Sequence, residues 1–204
     1  MKKICYAVAA SLDGYIAGPK GEADWIIMDP EIDFGALVSR FDTVLISRRT
    51  FEAMEEKGQG AMPGMETFVF SRTLQPGNHP AVTIVSDNAE ETVAAFRRRK
   101  GKDVWLFGGG SLFGSLLAAG LVDTVEVSIV PILLGGGLQL LPVLAKRTEL
   151  KLTKHRVYKR PELSRWSIRF GATLDRRRAV LRLERGFGWS AETEGLPLPG
   201  PSLQ

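Results

Sequence analysis

Three short stretches put arginine, hydroxyl and glycine residues directly after apolar runs. They are Ser47-Arg48-Arg49-Thr50 after Thr43 to Ile46, Ser71-Arg72 after Glu66 to Phe70, and Gly108-Gly109-Gly110-Ser111 after Val104 to Phe107. Guanidinium groups fork onto phosphate oxygens, and glycines with a helix start behind them let backbone N–H groups approach an anion closely. Ser111 is placed to cap the helix whose face is Leu112, Phe113, Leu116 and Leu117. An isolated glycine triplet is more often a tight βα turn that binds nothing. Three anion-friendly turns together suit a ligand with several separated phosphates, such as a dinucleotide carrying a 2′-phosphate.

Composition narrows the alternatives. The chain has 204 residues, 44% hydrophobic and 25% charged, which suits one globular domain with length left over for a tail. No apolar run is long enough to span a membrane, and Met1-Lys2-Lys3 leads straight into a strand-like Ile4 to Ala10 with no cleavable signal pattern, so a cytoplasmic location is expected. A single cysteine, Cys5, excludes an internal disulfide and a multi-cysteine zinc site. His79 and His155 stand in unrelated contexts, so no metal is expected. The net charge of +4 permits nucleic-acid binding without arguing for it. Arg97 to Lys100 fall at a helix terminus, where cations suit the dipole, and no aromatic residues interleave to stack bases.

The elements that must position these turns alternate at first. Ile4 to Ala10 is a strand ending at the turn Ser11-Leu12-Asp13-Gly14, and Gly18 to Gly21 opens a loop carrying Trp25, read either as a flap over a ligand or as an ordinary surface loop. Pro30, capped by Asp29, starts a helix whose stripe is Phe34, Leu37, Val38 and Phe41. Glu31 lies at the edge of that stripe, either as a half-buried carboxylate or simply as favourable charge at the helix start. Ala81 to Val85 is a strand followed by Ser86-Asp87-Asn88 caps and a helix burying Val93 and Phe96. Asp123 to Leu134 is a long strand, Gly135-Gly136-Gly137 a turn, and Glu149 to Tyr158 with Ser164 to Phe170 an antiparallel hairpin at a sheet edge. The count is about eight strands and four helices, a mostly parallel α/β sheet ending in strands. Residues 1–170 form the domain, and 171–204, Pro/Gly-rich at its end, is an appendage of low order.

The stretches ASLDGYIAG, LISRRTFEAM, FVFSRTL, GGGSLFGSLL and LVDTVEVSIVPILLGGG stand in an order and spacing that resembles the dihydrofolate reductase-like superfamily. Within it they are most similar to the RibD C-terminal branch, the reductase of riboflavin biosynthesis and its stand-alone bacterial relatives, over residues 2–170. The resemblance implies a three-layer α/β/α fold, NADPH as cofactor and a homodimer. It implies that Ala9 and Ile16 meet the nicotinamide end and that Arg48, Arg49 and Thr50 take the pyrophosphate and 2′-phosphate region. Ser71 and Arg72 would clasp the 2′-phosphate. Gly108, Gly109, Gly110 and Ser111 would lie against the pyrophosphate, with Leu112 and Phe113 beside the nicotinamide ribose. Ser47 stands where the family usually has glycine. Alignment through VLISRRT gives Glu31 the role of the substrate-side carboxylate, with Trp25 and Phe34 beside it, but no clear arginine for a folate tail.

The resemblance therefore implies an NADPH-dependent reductase of a small molecule, with 5-amino-6-(5-phosphoribosylamino)uracil the favoured substrate. Dihydrofolate reduction and a nucleotide-binding module without turnover are the alternatives. A zinc deaminase is excluded, because the H-x-E and P-C-x-x-C signatures are missing.

Overall fold

A computed structural model of the chain describes residues 1–26, 32–141, 147–158 and 165–172. In chain order its elements are β1 (Ile4–Ser11), β2 (Tyr15–Ala17), α1 (Phe34–Val38), β3 (Phe41–Ser47), α2 (Arg48–Glu55), β4 (Glu66–Phe70), β5 (Thr83–Val85), α3 (Ala89–Arg98), β6 (Asp103–Gly108), α4 (Gly110–Ala118), β7 (Thr124–Val130), β8 (Leu138–Gln139), β9 (Leu150–Tyr158) and β10 (Arg165–Ala172). The main sheet has the order β5-β4-β3-β6-β1-β7-β10-β9, and β2 pairs with β8 as a separate antiparallel ribbon. The first six strands of that order are parallel, whereas β10 runs antiparallel to both β7 and β9.

Two apolar layers hold the sheet. Leu37 and Val38 of α1 and Phe51 and Met54 of α2 pack with Cys5, Ala7, Val44, Ile46 and Trp105 on one face. Val93 and Phe96 of α3 and Leu112, Phe113, Leu116 and Leu117 of α4 pack with Ile4, Tyr6, Leu45, Val104 and Leu106 on the other. The strands in between are nearly continuous apolar runs, as strands buried on both sides must be. Val44, Leu45, Ile46, Val104 and Leu106 are all at 0% exposure. Each fully buried aliphatic side chain of this kind contributes roughly 1.5–3 kcal/mol.

Several expectations shift. The first helix covers only Phe34–Val38, capped by Asp33, whose carboxylate accepts the Ala36 N–H at 2.7 Å, and Phe41 opens β3 instead of closing a helical stripe. The expected start at Asp29 and Pro30 lies outside the described residues. Ser111 does not cap α4: the cap position is Gly109, at φ +91°, and Ser111 is an exposed residue of the first turn. The strand expected to run to Leu134 stops at Val130, because the chain leaves the sheet to pair β8 with β2. The last strand runs to Ala172, and the appendage expected beyond it falls outside the described residues.

Candidate functional site

The strand order makes neighbours of the three anion-friendly turns. β4, β3 and β6 are adjacent and parallel, so Ser71-Arg72, Ser47 to Thr50 and Gly108 to Gly110 emerge side by side at their carboxyl ends. The next strand is β1, bearing half-buried Ala9. From β4 to β1 is three inter-strand gaps, about 14 Å at the usual spacing. The connection after β3 enters α2 on one face, and the connection after β6 enters α4 on the other. This divergence between adjacent strands is the switch point where open α/β sheets bind ligands.

At the switch point the two turns touch. A Cβ on Gly108 would come within 2.9 Å of Thr50 Oγ1 and Cγ2, and one on Gly109 would collide with Ser47 Cβ and Oγ. Glycine is therefore required at Gly109, where the positive φ adds a second reason, and a side chain at Gly108 would force Thr50 to shift. Neither α2 nor α4 has a side chain capping its first N–H groups, so two helix N-termini converge with donors free.

The cations around this crevice differ in availability. Arg48 is paired with Glu52 at 3.0 Å, one helical turn on. Arg49 and Arg72 are exposed and, among the described residues, form no ion pair. Ser71 is buried at 8%, and its oxygen accepts the N–H groups of Thr73 and Leu74, so it shapes the loop that presents Arg72. Leu112 and Phe113 are buried in the core, Phe113 stacked on Tyr6 at 3.8 Å between ring centroids. Half-buried Ile16 packs against the same layer.

Next to the crevice, two loops are latched together. The Asp13 carboxylate accepts the N–H groups of Leu134 at 3.1 Å and Gly135 at 2.7 Å, and the Ser11 hydroxyl donates to it at 2.6 Å. That hydroxyl bond first, and the loop N–H groups with it, hold the Asp13 carboxyl below the usual range. Leu12 N–H also bonds Ile132 O, Leu140 N–H bonds Gly14 O, and Tyr6 OH donates to Leu140 O at 3.2 Å. The loop that follows β2 closes on itself: Gly18 N–H bonds Glu22 O, and half-buried Trp25 donates its Nε1–H to the same carbonyl.

On the α1 side of the sheet lies a charge cluster that the sequence did not announce. Arg40, just after α1, donates from both terminal nitrogens to Glu126 of β7, at 2.9 and 2.7 Å, and the Cys5 thiol meets the same carboxylate at 3.2 Å. Burial first, and the Glu126 charge next, push the Cys5 thiol up to about 12, which makes it an inert core group. The one available signal was alternation: Glu126 falls on the opposite face from Val125 and Val127. Phe34 and Trp25 are half-buried, and Glu31 lies outside the described residues. Among the described residues no group of three or more His, Cys, Asp or Glu gathers to hold a metal, and no helix is long and apolar enough to cross a membrane. A shallow cleft lined by Met65, Thr67, Phe68, Val82 and Arg99 opens on the β4–β5 edge, but Arg99 there is tied by both terminal nitrogens to Glu66.

Known proteins share this fold. A protein of Shewanella sp. PV-4 ascribed to riboflavin biosynthesis is 27% identical, with a TM-score of 0.70 over 84% of this chain and 98% of its own. The dihydrofolate reductase of Enterococcus faecalis, solved with NADP(H) and RAB-propyl, is 17% identical at a TM-score of 0.65, covering 84% of this chain and 96% of that one. The diaminohydroxyphosphoribosylaminopyrimidine deaminase/5-amino-6-(5-phosphoribosylamino)uracil reductase of Thermotoga maritima is 16% identical at a TM-score of 0.61, covering 84% of this chain and 56% of that one. The last two likenesses are of fold. With the model of the RibD C-terminal domain matching residues 2–161 on this dihydrofolate reductase-like fold, the chain belongs to the RibD C-terminal domain family.

Proposed function

We propose that the protein is an NADPH-dependent reductase acting on a pyrimidine, ribosylamino or related small substrate, with 5-amino-6-(5-phosphoribosylamino)uracil the favoured candidate. The observation that carries this reading is the switch-point cradle: two uncapped helix N-termini against Gly108 and Gly109, with the Arg49 and Arg72 guanidinium groups beside them forming no ion pair among the described residues. Those residues fit a dinucleotide phosphate. The N–H groups of α2 and α4 would hold the pyrophosphate, and Arg49 and Arg72 would neutralise the 2′-phosphate. Ala9 and Ile16, steadied by the Asp13 latch, would bound the nicotinamide end.

When bound, the cofactor supplies a hydride to an electrophilic C=N or C=O carbon. The matching proton goes to the substrate heteroatom from water or from Glu31. The chain's own contribution is orientation and electrostatics at the strand ends. Two outside findings agree with this reading: the Enterococcus relative was solved with NADP(H), and the Shewanella relative is ascribed to riboflavin biosynthesis. Dihydrofolate is the weaker substrate candidate, because Arg40, which follows the first helix, is turned onto Glu126 instead of being free for a carboxylate tail. A homodimer in the cytoplasm is part of the same proposal.

Titration of intrinsic tryptophan fluorescence with NADPH, and NADH as the control, tests it. Tight binding that prefers NADPH is expected. Absence of binding by either cofactor would overturn the reading.

A further inference from the structure

Ser47 ends β3 in an extended conformation, φ −81° and ψ 161°, at the cap position of α2. A serine there ordinarily turns its oxygen onto the helix's own N–H groups. Here it does not: the hydroxyl meets the Thr50 hydroxyl at 3.1 Å, and no N–H of α2 is capped by it. The same side chain fills the space that a Cβ on Gly109 would need, while Thr50 fills the space beside Gly108. The hydroxyl pair is thus wedged between the starts of α2 and α4. Two hydroxyls carry two protons, and their mutual bond uses one. Among the described residues neither oxygen has another bonded partner.

We infer that Ser47 is a positioning residue for the dinucleotide pyrophosphate: it donates to Thr50 Oγ1, and so turns the Thr50 proton outward onto the phosphate oxygens between the two helix starts. This rests on the cofactor reading above. Where a glycine would leave Thr50 free to rotate, the serine fixes its donor direction and sets the gap between α2 and α4 by its contact with Gly109. The residue is then a working member of the cradle instead of an obstruction in it.

Isothermal titration of wild type, Ser47→Ala, Ser47→Gly and Thr50→Val with NADPH, NADH and adenosine 2′-monophosphate separates the possibilities, with the melting temperature of each ligand-free variant as the folding control. Both dinucleotides contain the pyrophosphate and the monophosphate does not. Ser47→Ala is expected to weaken NADPH and NADH by the same factor, roughly 5- to 10-fold, leaving adenosine 2′-monophosphate affinity and melting unchanged. Thr50→Val is expected to weaken both dinucleotides at least as much. Wild-type affinity in Ser47→Ala, whether or not Ser47→Gly is impaired, would reduce Ser47 to a spacer and overturn the inference. Tighter binding by Ser47→Gly would overturn it as well. Failure of wild type to bind either dinucleotide would instead remove the cofactor reading itself.

Discussion

The two ends of the parallel strands are chemically opposite. At the amino ends stand acids: Asp42 in β3, Glu66 in β4, Asp103 in β6 and Asp123 just before β7. Each is engaged. Lys2 pairs with Asp42, Arg97 with Asp123 and Arg99 with Glu66, while Asp103, Asp123 and Asp42 accept the backbone N–H groups of Lys3, Ile4 and Lys102. Lys2 is 5% exposed, and a buried ammonium of that kind requires its carboxylate. At the carboxyl ends of β3, β4 and β6 stand hydroxyls, glycines and arginines, with Arg49 and Arg72 unpaired among the described residues. A stability device satisfies its own charges, whereas a binding site leaves charge of one sign waiting for a ligand. On the proposed cofactor reading the same sheet does both, and the strand direction says which end does which.

The largest expected effect falls where the two carboxyl-end turns interlock. Gly109→Ala should strain the backbone at φ +91° and drive its Cβ into Ser47, lowering stability by about 2–4 kcal/mol and abolishing NADPH binding. Thermal melts read the first effect and titration the second. A soluble variant that binds normally would show that α2 and α4 do not converge as described.

The comparison of free and paired cations predicts a graded series. Arg72→Ala should weaken NADPH by roughly 10- to 100-fold and leave NADH nearly unchanged, since a charge-assisted phosphate contact contributes about 1.5–3 kcal/mol. Arg49→Ala should follow the same pattern. Arg48→Ala should cost less, because Glu52 already shares its guanidinium. Equal loss of both cofactors in Arg72→Ala would remove the 2′-phosphate role.

The amino-end counterpart should behave in reverse. Asp123→Ala leaves Arg97 and the Ile4 N–H without their acceptor, so it should destabilise the protein by about 1–3 kcal/mol while NADPH affinity per folded molecule stays within twofold. Urea unfolding and titration of the same variant check both halves. A large loss of affinity at unchanged stability would break the division between the two ends.

How much of this was legible follows from the range of each interaction. The strand ends were readable because Val44 to Ile46 and Val104 to Leu106 are apolar runs cut off by a change of chemistry, a local signal. That their three turns would lie side by side was not: it depends on β6 inserting between β3 and β1, which no local pattern encodes. The last strands alternate clearly, but nothing in their composition says that β10 would sit between β7 and β9. The role of Arg40 had no local signal because its partner Glu126 is 86 positions away. Ser111 read as a cap because serine after a glycine run usually is one. The structure starts α4 earlier, since the glycine with positive φ can itself make the entry turn.

The smallest expected effect concerns the Asp13 latch, which belongs to neither end as a charge pair. It joins backbone N–H groups about 120 positions away to one exposed carboxylate, and so couples the loop after β1 to the loop after β7. Its folded pKa is depressed, so the stabilisation it gives is present above the ordinary carboxylate value and is lost as pH falls through the lowered folded value. The protection factor at Gly135, its exchange rate taken relative to the intrinsic rate at the same pH, should therefore be high at neutral pH and fall on acidification below the usual aspartate range, with the protection factors of the core amides of Leu45 and Leu106 unaffected. Asp13→Asn should remove that pH dependence and give a Gly135 protection factor at neutral pH close to the acid value of the wild type. Because the carboxylate is exposed and screened, the change in global stability should be within the error of a melting curve. If Asp13→Asn keeps Gly135 protected, the Leu12–Ile132 and Gly14–Leu140 backbone bonds hold the two loops without the carboxylate.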